Sequence, residues 1–208
     1  MKILGIDPGT ATVGIGVIEC DGKKISSLHQ GWIKTSKKDS PQKRLAQIHA
    51  QTRELIQTHR PDILAIERLF FFINYKTAMS VAESIGVIKL AAETEGLEIV
   101  SLAPLEIKCA VTGNGKAPKK EIKAAVRKIL GVRAPKNKKT HFDDLCDALA
   151  VAICYAQKYV LAPSPAKVRY NKVKKKTGRK KGYRGITKRR VEDPPSHKIT
   201  EGKEGGEN

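Results

Sequence analysis

The chain has 208 residues, enough for one domain with an appendage, and its 40 Lys and Arg against 21 Asp and Glu give a formal net charge of +19. This positive excess predicts a polyanionic partner such as nucleic acid. No apolar run reaches the roughly 18 residues of a membrane span, and the apolar N-terminal stretch meets Asp7 too early for a signal peptide. The four scattered cysteines are typical of buried thiols in a reducing cytoplasm, so we expect a cytoplasmic protein that contacts no membrane.

The first hundred residues alternate strand-like and helix-like patterns. Ser40 and Pro41 form a helix start, and Pro61 ends that helix. The continuous apolar run before Glu67 is typical of a strand that is covered on both faces. In chain order, the patterns predict strands over residues 2–8, 12–18, 25–33, 63–66 and 97–102, with helices over residues 41–60 and 77–95.

The second part of the chain is predominantly helical and then changes composition. We predict a short helix after Pro104, a helix over residues 119–130, a basic linker over residues 133–139 and a buried last helix over residues 141–157. Residues 167–190 hold 13 basic side chains and no acidic one. The sequence therefore predicts a mixed α/β domain over residues 1–160 and a disordered basic tail over residues 161–208.

Four carboxylates interrupt segments that otherwise have the pattern of a core. Asp7 ends the first predicted strand and Glu67 follows a second buried strand, whereas Asp144 and Asp147 lie on one face of the last helix. A buried carboxylate is costly unless a cation or hydrogen bonds compensate it. If these elements converge, the four acids form a hard-oxygen site for Mg²⁺ or Mn²⁺, and two such ions about 4 Å apart are typical of phosphodiester nucleases.

Each of these acids also has a purely structural interpretation. Asp7 could close the turn that follows it, and Glu67 could form an ion pair with the adjacent arginine at the end of its strand. The two acids of the last helix could complement the helix dipole, although Asp143 fits that capping role better. The metal site is absent only if these structural interpretations apply to all of the acids at once.

The chain resembles a known family in four segments: ILGIDPGTATVGIGV, AIERLFF, SLAPLEIKCAVTGNGKAPK and HFDDLCDALAVAI. Over nearly all of residues 1–157 it resembles the RuvC family of Holliday junction resolvases. The resemblance implies an RNase H-like α/β fold with a five-stranded mixed sheet flanked by helices. It also implies a homodimer that nicks two opposing strands of four-way junction DNA at symmetric positions with Mg²⁺, in homologous recombination and DNA repair. A branch-migration motor complex is a further partner that the resemblance suggests.

The resemblance also assigns roles to individual positions. Asp7, Glu67, Asp144 and Asp147 match the four metal-binding acidic positions of the family, which implies two Mg²⁺ ions per active site, with Mn²⁺ as a substitute. Some relatives have a histidine at the position of Asp144, where the adjacent Asp143 is a competing candidate.

Three further positions are assigned to DNA contact by the same resemblance. Phe70 matches a functional aromatic position that could act as a wedge or stacking platform at the crossover, although Phe71 and Phe72 compete with it. Lys108 and Lys119 match basic positions near the scissile phosphate, where each could offset the negative charge of the transition state.

Three other functions are weighed against this one. An RNase H-like nuclease could act on RNA with the same carboxylates. A non-catalytic nucleic-acid-binding protein would keep every activity after an Asp7→Asn substitution. The DPGT turn after the first strand also resembles the first phosphate loop of actin-like ATPases, but the chain lacks their second phosphate motif and second domain.

Overall fold

A computed structural model describes residues 1–69, 75–131 and 142–161, without the side chains of residues 75–77 and 142–144. The predicted basic linker and nearly all of the predicted tail lie outside these ranges. The elements in chain order are β1 (Lys2–Asp7), β2 (Thr12–Cys20), β3 (Ile25–Lys34), α1 (Pro41–His59), β4 (Ile63–Glu67), α2 (Tyr75–Thr94), β5 (Glu98–Leu102), α3 (Pro104–Thr112), α4 (Lys119–Leu130), α5 (Phe142–Tyr155) and a π-helical turn (Ala156–Val160).

The strands form one mixed five-stranded sheet in the order β3-β2-β1-β4-β5. β1 pairs antiparallel with β2, and β2 pairs antiparallel with β3. On the other side, β1 pairs parallel with β4, and β4 pairs parallel with β5. The carboxyl ends of the three parallel strands therefore lie along one edge of the sheet, as such a topology requires. The predicted five-stranded mixed sheet is confirmed.

The sheet separates two apolar clusters. On one face, Leu4 and Leu64 pack with Ile48 of α1 and Ile88 of α2. On the other face, α5 lies against β1 and β2, and α3 and α4 pack beside it. Burial on both faces explains the continuous apolar pattern of β1 and β4.

Two glycines allow α5 to lie directly on the sheet. A β-carbon at Gly5 would overlap the carbonyl oxygen of Ala148, and one at Gly16 would lie 2.9 Å from the side chain of Leu149. These contacts leave no space for any larger residue, so the sequence of the two central strands sets the depth of α5. The buried character predicted for the last helix is confirmed for residues 145–156 except Asp147.

Most predicted element bounds agree with the structure to within two residues. Ser40 caps α1, since its hydroxyl oxygen accepts from the Lys43 N–H at 3.2 Å, and α1 ends where Arg60 adopts a left-handed φ of 46°. One expectation is wrong, because Cys109 is exposed on the outer face of α3. The last helix changes to a π-helical turn after Tyr155, close to its predicted end at residue 157.

The described residues contain no helix that combines the length and the apolar character needed to cross a membrane.

Candidate active site

Two carboxylates lie at the ends of neighbouring parallel strands. Asp7 is the last residue of β1, and Glu67 is the last residue of β4. The register that pairs Ile6 with Ile66 places the two acids side by side, and a hydrogen bond joins their side chains. Because Ile6 and Ile66 belong to the cluster under α1 and α2, the alternation of side chains directs both acids to the face that α5 covers.

A third acid reaches this place from α5. The close contact of Ala148 with Gly5 holds this part of the helix over β1, two residues before Asp7. Asp147 precedes Ala148, and its Oδ2 accepts from the Lys119 Nζ at 2.8 Å. Lys119 begins α4, so this ion pair joins the beginning of α4 to α5 beside the strand ends.

The electrostatics of the site are centred on Glu67. Burial raises the pKa of Glu67 above its ordinary value of 4.5, and the negative charge of Asp147 raises it further. The hydrogen bond with Asp7 and the positive charges of Lys108 and Lys119 lower that pKa in part. The net direction shows that a negative charge at Glu67 is not fully compensated by the lysines around it.

Two adjoining cavities open at these residues. One of about 210 Å³ is lined by Glu67, Asp147, Lys108 and Lys119, with apolar walls from α3, α4 and α5. The other, of about 280 Å³, contains Asp7 and shares Glu67 with the first. Of the predicted site residues, Asp7, Glu67, Asp147, Lys108 and Lys119 therefore lie around one concave region at the edge of the sheet.

The turn from β5 into α3 positions Lys108. β5 ends at Leu102, which pairs with Glu67, and α3 starts two residues later. Glu106 fixes this turn, because its Oε2 accepts from the Ala103 N–H at 2.9 Å. The cap holds the first turn of α3 against the strand end and so brings Lys108 to the cavity wall.

Comparison with known proteins identifies the family of this chain. The family model "Crossover junction endodeoxyribonuclease RuvC" matches residues 3–155. The chain belongs to the RuvC family. A protein of that name from Moorella thermoacetica is 46% identical over 156 residues, which cover 75% of this chain and 91% of the relative.

Solved structures of the family support the same assignment. The RuvC structure from Thermus thermophilus is 34% identical and matches with a TM-score of 0.68 over 77% of this chain and 98% of that chain. The same protein has been solved in complex with a Holliday junction substrate, and that structure matches with a TM-score of 0.68 over 75% of this chain and 93% of that chain. The fold is RNase H-like, as the RuvC resemblance implied.

Several residues named from the sequence lie where the structure describes no side chain. Phe70 lies outside the described residues. The side chains of Asp143 and Asp144 also lie outside them, although the backbone of both belongs to α5. Among the side chains that the structure describes, no three acidic, histidine or cysteine groups are arranged to hold one metal ion. The four-carboxylate metal site therefore stays a prediction.

The donor chemistry nevertheless fits a hard divalent cation. Asp7 and Glu67 offer only oxygen ligands, which Mg²⁺ and Mn²⁺ prefer. A bound cation would offset both the burial of Glu67 and the nearby charge of Asp147, the two causes that raise the Glu67 pKa. The helix backbone places residue 144 one turn before Asp147, on the same face of α5.

Sequence reasoning missed one pair of side chains near this site. Trp32 of β3 pairs with Gly14, which in turn pairs with Asp7, so the three residues form one row across the sheet. Lys34 follows on the same face of β3, with its Nζ 4.7 Å from the centroid of the Trp32 ring. The available signals were that Trp32 is the single tryptophan of the chain and that a lysine follows it two positions later on a predicted strand.

Proposed function

We propose that this chain is a crossover junction endodeoxyribonuclease that hydrolyses one phosphodiester bond in each of two opposing strands of a four-way DNA junction. The observation that carries the proposal is the Asp7–Glu67 pair with Asp147 beside it, walled by Lys108 and Lys119, in a member of the RuvC family. A concave acidic centre with a basic wall suits a phosphodiester that must approach metal-binding carboxylates.

RuvC family nucleases are metal-dependent, and Asp7, Glu67, Asp144 and Asp147 would hold two Mg²⁺ ions in this chain. When bound, such ions activate water as the nucleophile and stabilise the oxygen that leaves. These residues lie on three different elements, so they would orient the ions and limit the movement of the site. Burial and the negative charge of Asp147 raise the pKa of Glu67, so its ionised carboxyl is unfavourable without a positive partner. A bound cation would supply that partner.

The two lysines have separate places and, we propose, separate phosphate contacts. Lys108 lies on the cavity wall near Glu67, and its charge acts on that carboxyl. Lys119 begins α4, is 55% exposed at its side chain and reaches Asp147. An exposed lysine can move from a carboxylate to a phosphate oxygen at small cost, because both contacts are charge-assisted hydrogen bonds.

The junction requires two further proposals that rest on the RuvC resemblance. Phe70 follows Glu67 by three residues and would contact bases that are unpaired at the crossover. A homodimer would supply the two active sites. Helix α2 supports this role, since Met79 and Leu90 are 57% and 59% exposed on its outer stripe, where Gly86 also lies. A branch-migration motor as an additional partner stays a prediction.

The test is cleavage of end-labelled four-way junctions, mobile and fixed, beside linear duplex and an RNA–DNA hybrid. We expect paired nicks at symmetric positions in the junction with Mg²⁺ and no cleavage with chelator. Asp7→Asn should lower the cleavage rate by at least about 100-fold, because it removes one charged ligand from the pair. Glu54→Gln is the matched control, since Glu54 is an exposed acid on α1.

The alternatives give different results in the same assay. Preferential cleavage of the hybrid would mean that the substrate is RNA. Tight junction binding with no cleavage under any metal, and no effect of Asp7→Asn, would favour a non-catalytic binding protein. Single, unpaired nicks would contradict the two-site homodimer.

A further inference from the structure

One row of side chains crosses the sheet from the candidate active site to the edge strand β3. Asp7 pairs with Gly14, and Gly14 pairs with Trp32. Residues directly opposite each other in antiparallel strands point to the same face of the sheet. Trp32 therefore lies on the face that carries Asp7, about 10 Å away by two strand spacings. Gly14 lies between them and has no side chain that could separate the two.

Trp32 is exposed at the end of this row. Its relative accessibility is 38%, although tryptophan has the largest apolar surface of any residue. Lys34 is exposed on the same face, and its Nζ lies 4.7 Å from the centroid of the Trp32 ring. An aromatic face next to a cation offers a stacking surface and a phosphate contact together.

The backbone that follows this pair is hydrogen-bonded to the turn after Asp7. The segment after Trp32 and Lys34 bonds to the turn after Asp7, where the Thr35 Oγ1 donates to the Thr10 carbonyl oxygen at 2.5 Å and the Thr35 N–H donates to the Ala11 carbonyl oxygen at 3.1 Å. A platform placed in this way does not have to be ordered when a ligand binds, which reduces the entropic cost of binding.

We propose that Trp32 and Lys34 form a DNA-contact platform beside the active site, where Trp32 stacks on an unpaired base of the strand to be cut and Lys34 binds a neighbouring phosphate. The inference rests on the proposed function, because it requires a DNA strand to be bound at Asp7 and Glu67. Stacking on an aromatic ring requires an exposed base face, which a continuous duplex does not offer. The platform therefore favours a branched or opened substrate over a linear duplex.

The single tryptophan makes a direct measurement possible. In an Asp7→Asn background, which keeps the DNA uncut, the intrinsic fluorescence of Trp32 is titrated with a four-way junction and with linear duplex. We expect strong quenching by the junction and weak quenching by the duplex. Junctions that carry 2-aminopurine beside the crossover give the reciprocal signal, since the base analogue loses emission when it stacks on the indole.

Variants separate the platform from a structural role of β3. Trp32→Ala should weaken junction binding roughly 10-fold, since it removes the ring on which a base stacks, whereas Trp32→Phe should retain most of the affinity. Lys34→Gln should reduce the slope of log affinity against log salt by the amount that one phosphate contact contributes. Leu28→Ala is the control, because Leu28 is 46% exposed on the same strand but lies four residues before Trp32.

The outcomes distinguish this inference from the function on which it rests. If the unmodified chain cuts junctions while Trp32→Ala binds and cuts them equally well and Trp32 emission does not change, the platform is wrong and the nuclease function stands. If the unmodified chain neither binds nor cuts junctions, the proposed function fails. If Trp32→Ala and Leu28→Ala lose junction affinity equally and the Trp32 emission does not change on binding, the substitutions act only by destabilising β3, and the platform is wrong.

Discussion

At the scale of single residues, the ionised carboxyl of Glu67 lowers the stability of the folded protein. Its carboxyl is partly removed from water and lies near Asp147, and both effects raise its pKa. Around neutral pH, the ionised form is therefore less favourable in the folded protein than in the unfolded chain. Active sites commonly retain such residues because the same unfavourable charge attracts a cation.

Glu67→Gln should therefore stabilise the protein while it abolishes cleavage. The amide has nearly the shape of the carboxyl and can donate to Asp7, but it carries no charge. The measurement is the free energy of unfolding by urea in chelator at pH 7 and at lower pH. The variant should be more stable than the parent at pH 7.

The pH dependence of the free energy of unfolding tests whether the raised pKa of Glu67 causes this difference in stability. A raised folded-state pKa means that the contribution of Glu67 to stability is fully present below its ordinary value of 4.5 and is lost as pH rises through the folded-state pKa. The advantage of the glutamine should thus shrink as pH falls toward 4.5. Glu98→Gln, at the exposed first residue of β5, is the control for removal of a carboxylate charge outside the site. A glutamine variant that is less stable than the parent at pH 7 would contradict the argument.

At the scale of elements, the contact between α5 and the central strands determines where Asp147 lies. Gly5 and Gly16 bring the helix to the sheet backbone, and the ion pair with Lys119 then joins α5 to α4. The site is therefore built from three packed elements, so a shift of α5 would separate Asp147 from Asp7. Packing and chemistry depend here on the same two glycines.

Gly5→Ala should be strongly destabilising for this reason. Its methyl group would overlap the Ala148 carbonyl oxygen, a backbone atom that cannot move without the helix. Overpacking typically costs about 1–3 kcal/mol, and we expect the upper end of that range in chemical denaturation. Cleavage should also fall in the fraction that stays folded, because α5 moves away from β1.

The control exchanges the same two residue types where no close contact exists. Ala124 is exposed on α4, and Ala124→Gly should cost about 1 kcal/mol from helix propensity alone, with cleavage unchanged. If Gly5→Ala costs no more than this control, α5 is not held by the close approach.

Much of this architecture could be predicted from the chain, because its signals are local. The acids Asp7 and Glu67 each end an apolar run, and parallel strands bring their carboxyl ends together. The helix caps at Ser40 and Gly131 are likewise short-range signals.

Features that depend on register or on long-range packing could not be predicted in this way. The face on which Trp32 lies follows from its pairing with Gly14, and a slip by one residue would direct it to the opposite face. The irregular pairing between Val17 and Ile18 in the same ladder has no clear sequence signal. At Cys109, residue type suggested burial, but the helical period of the buried Ile107 and Val111 turns it outward.

At the scale of the whole molecule, more than half of the net positive charge lies in the C-terminal residues 162–208. Residues 162–208 contain 15 basic and 5 acidic side chains, and residues 167–190 contain 13 basic and no acidic ones. Such a run binds a polyanion without sequence preference, through release of the counterions that surround the phosphates. The active site selects the bond to be cut, whereas this segment would raise affinity for any arm of the junction.

Deletion of residues 163–208 should therefore weaken junction binding and flatten its salt dependence while the positions of the cuts stay the same. The slope of log affinity against log salt should fall by about 0.9 for each phosphate contact that is lost. Binding is measured by titration of labelled junction at several salt concentrations, and cleavage positions are mapped on the same DNA. Replacement of Lys174, Lys175 and Lys176 by glutamine should give a proportionate part of the effect, because it removes 3 of the 13 basic charges and leaves the length unchanged. An unchanged slope in both variants would mean that this segment does not contact DNA, and altered cut positions would mean that it helps to place the junction on the active site.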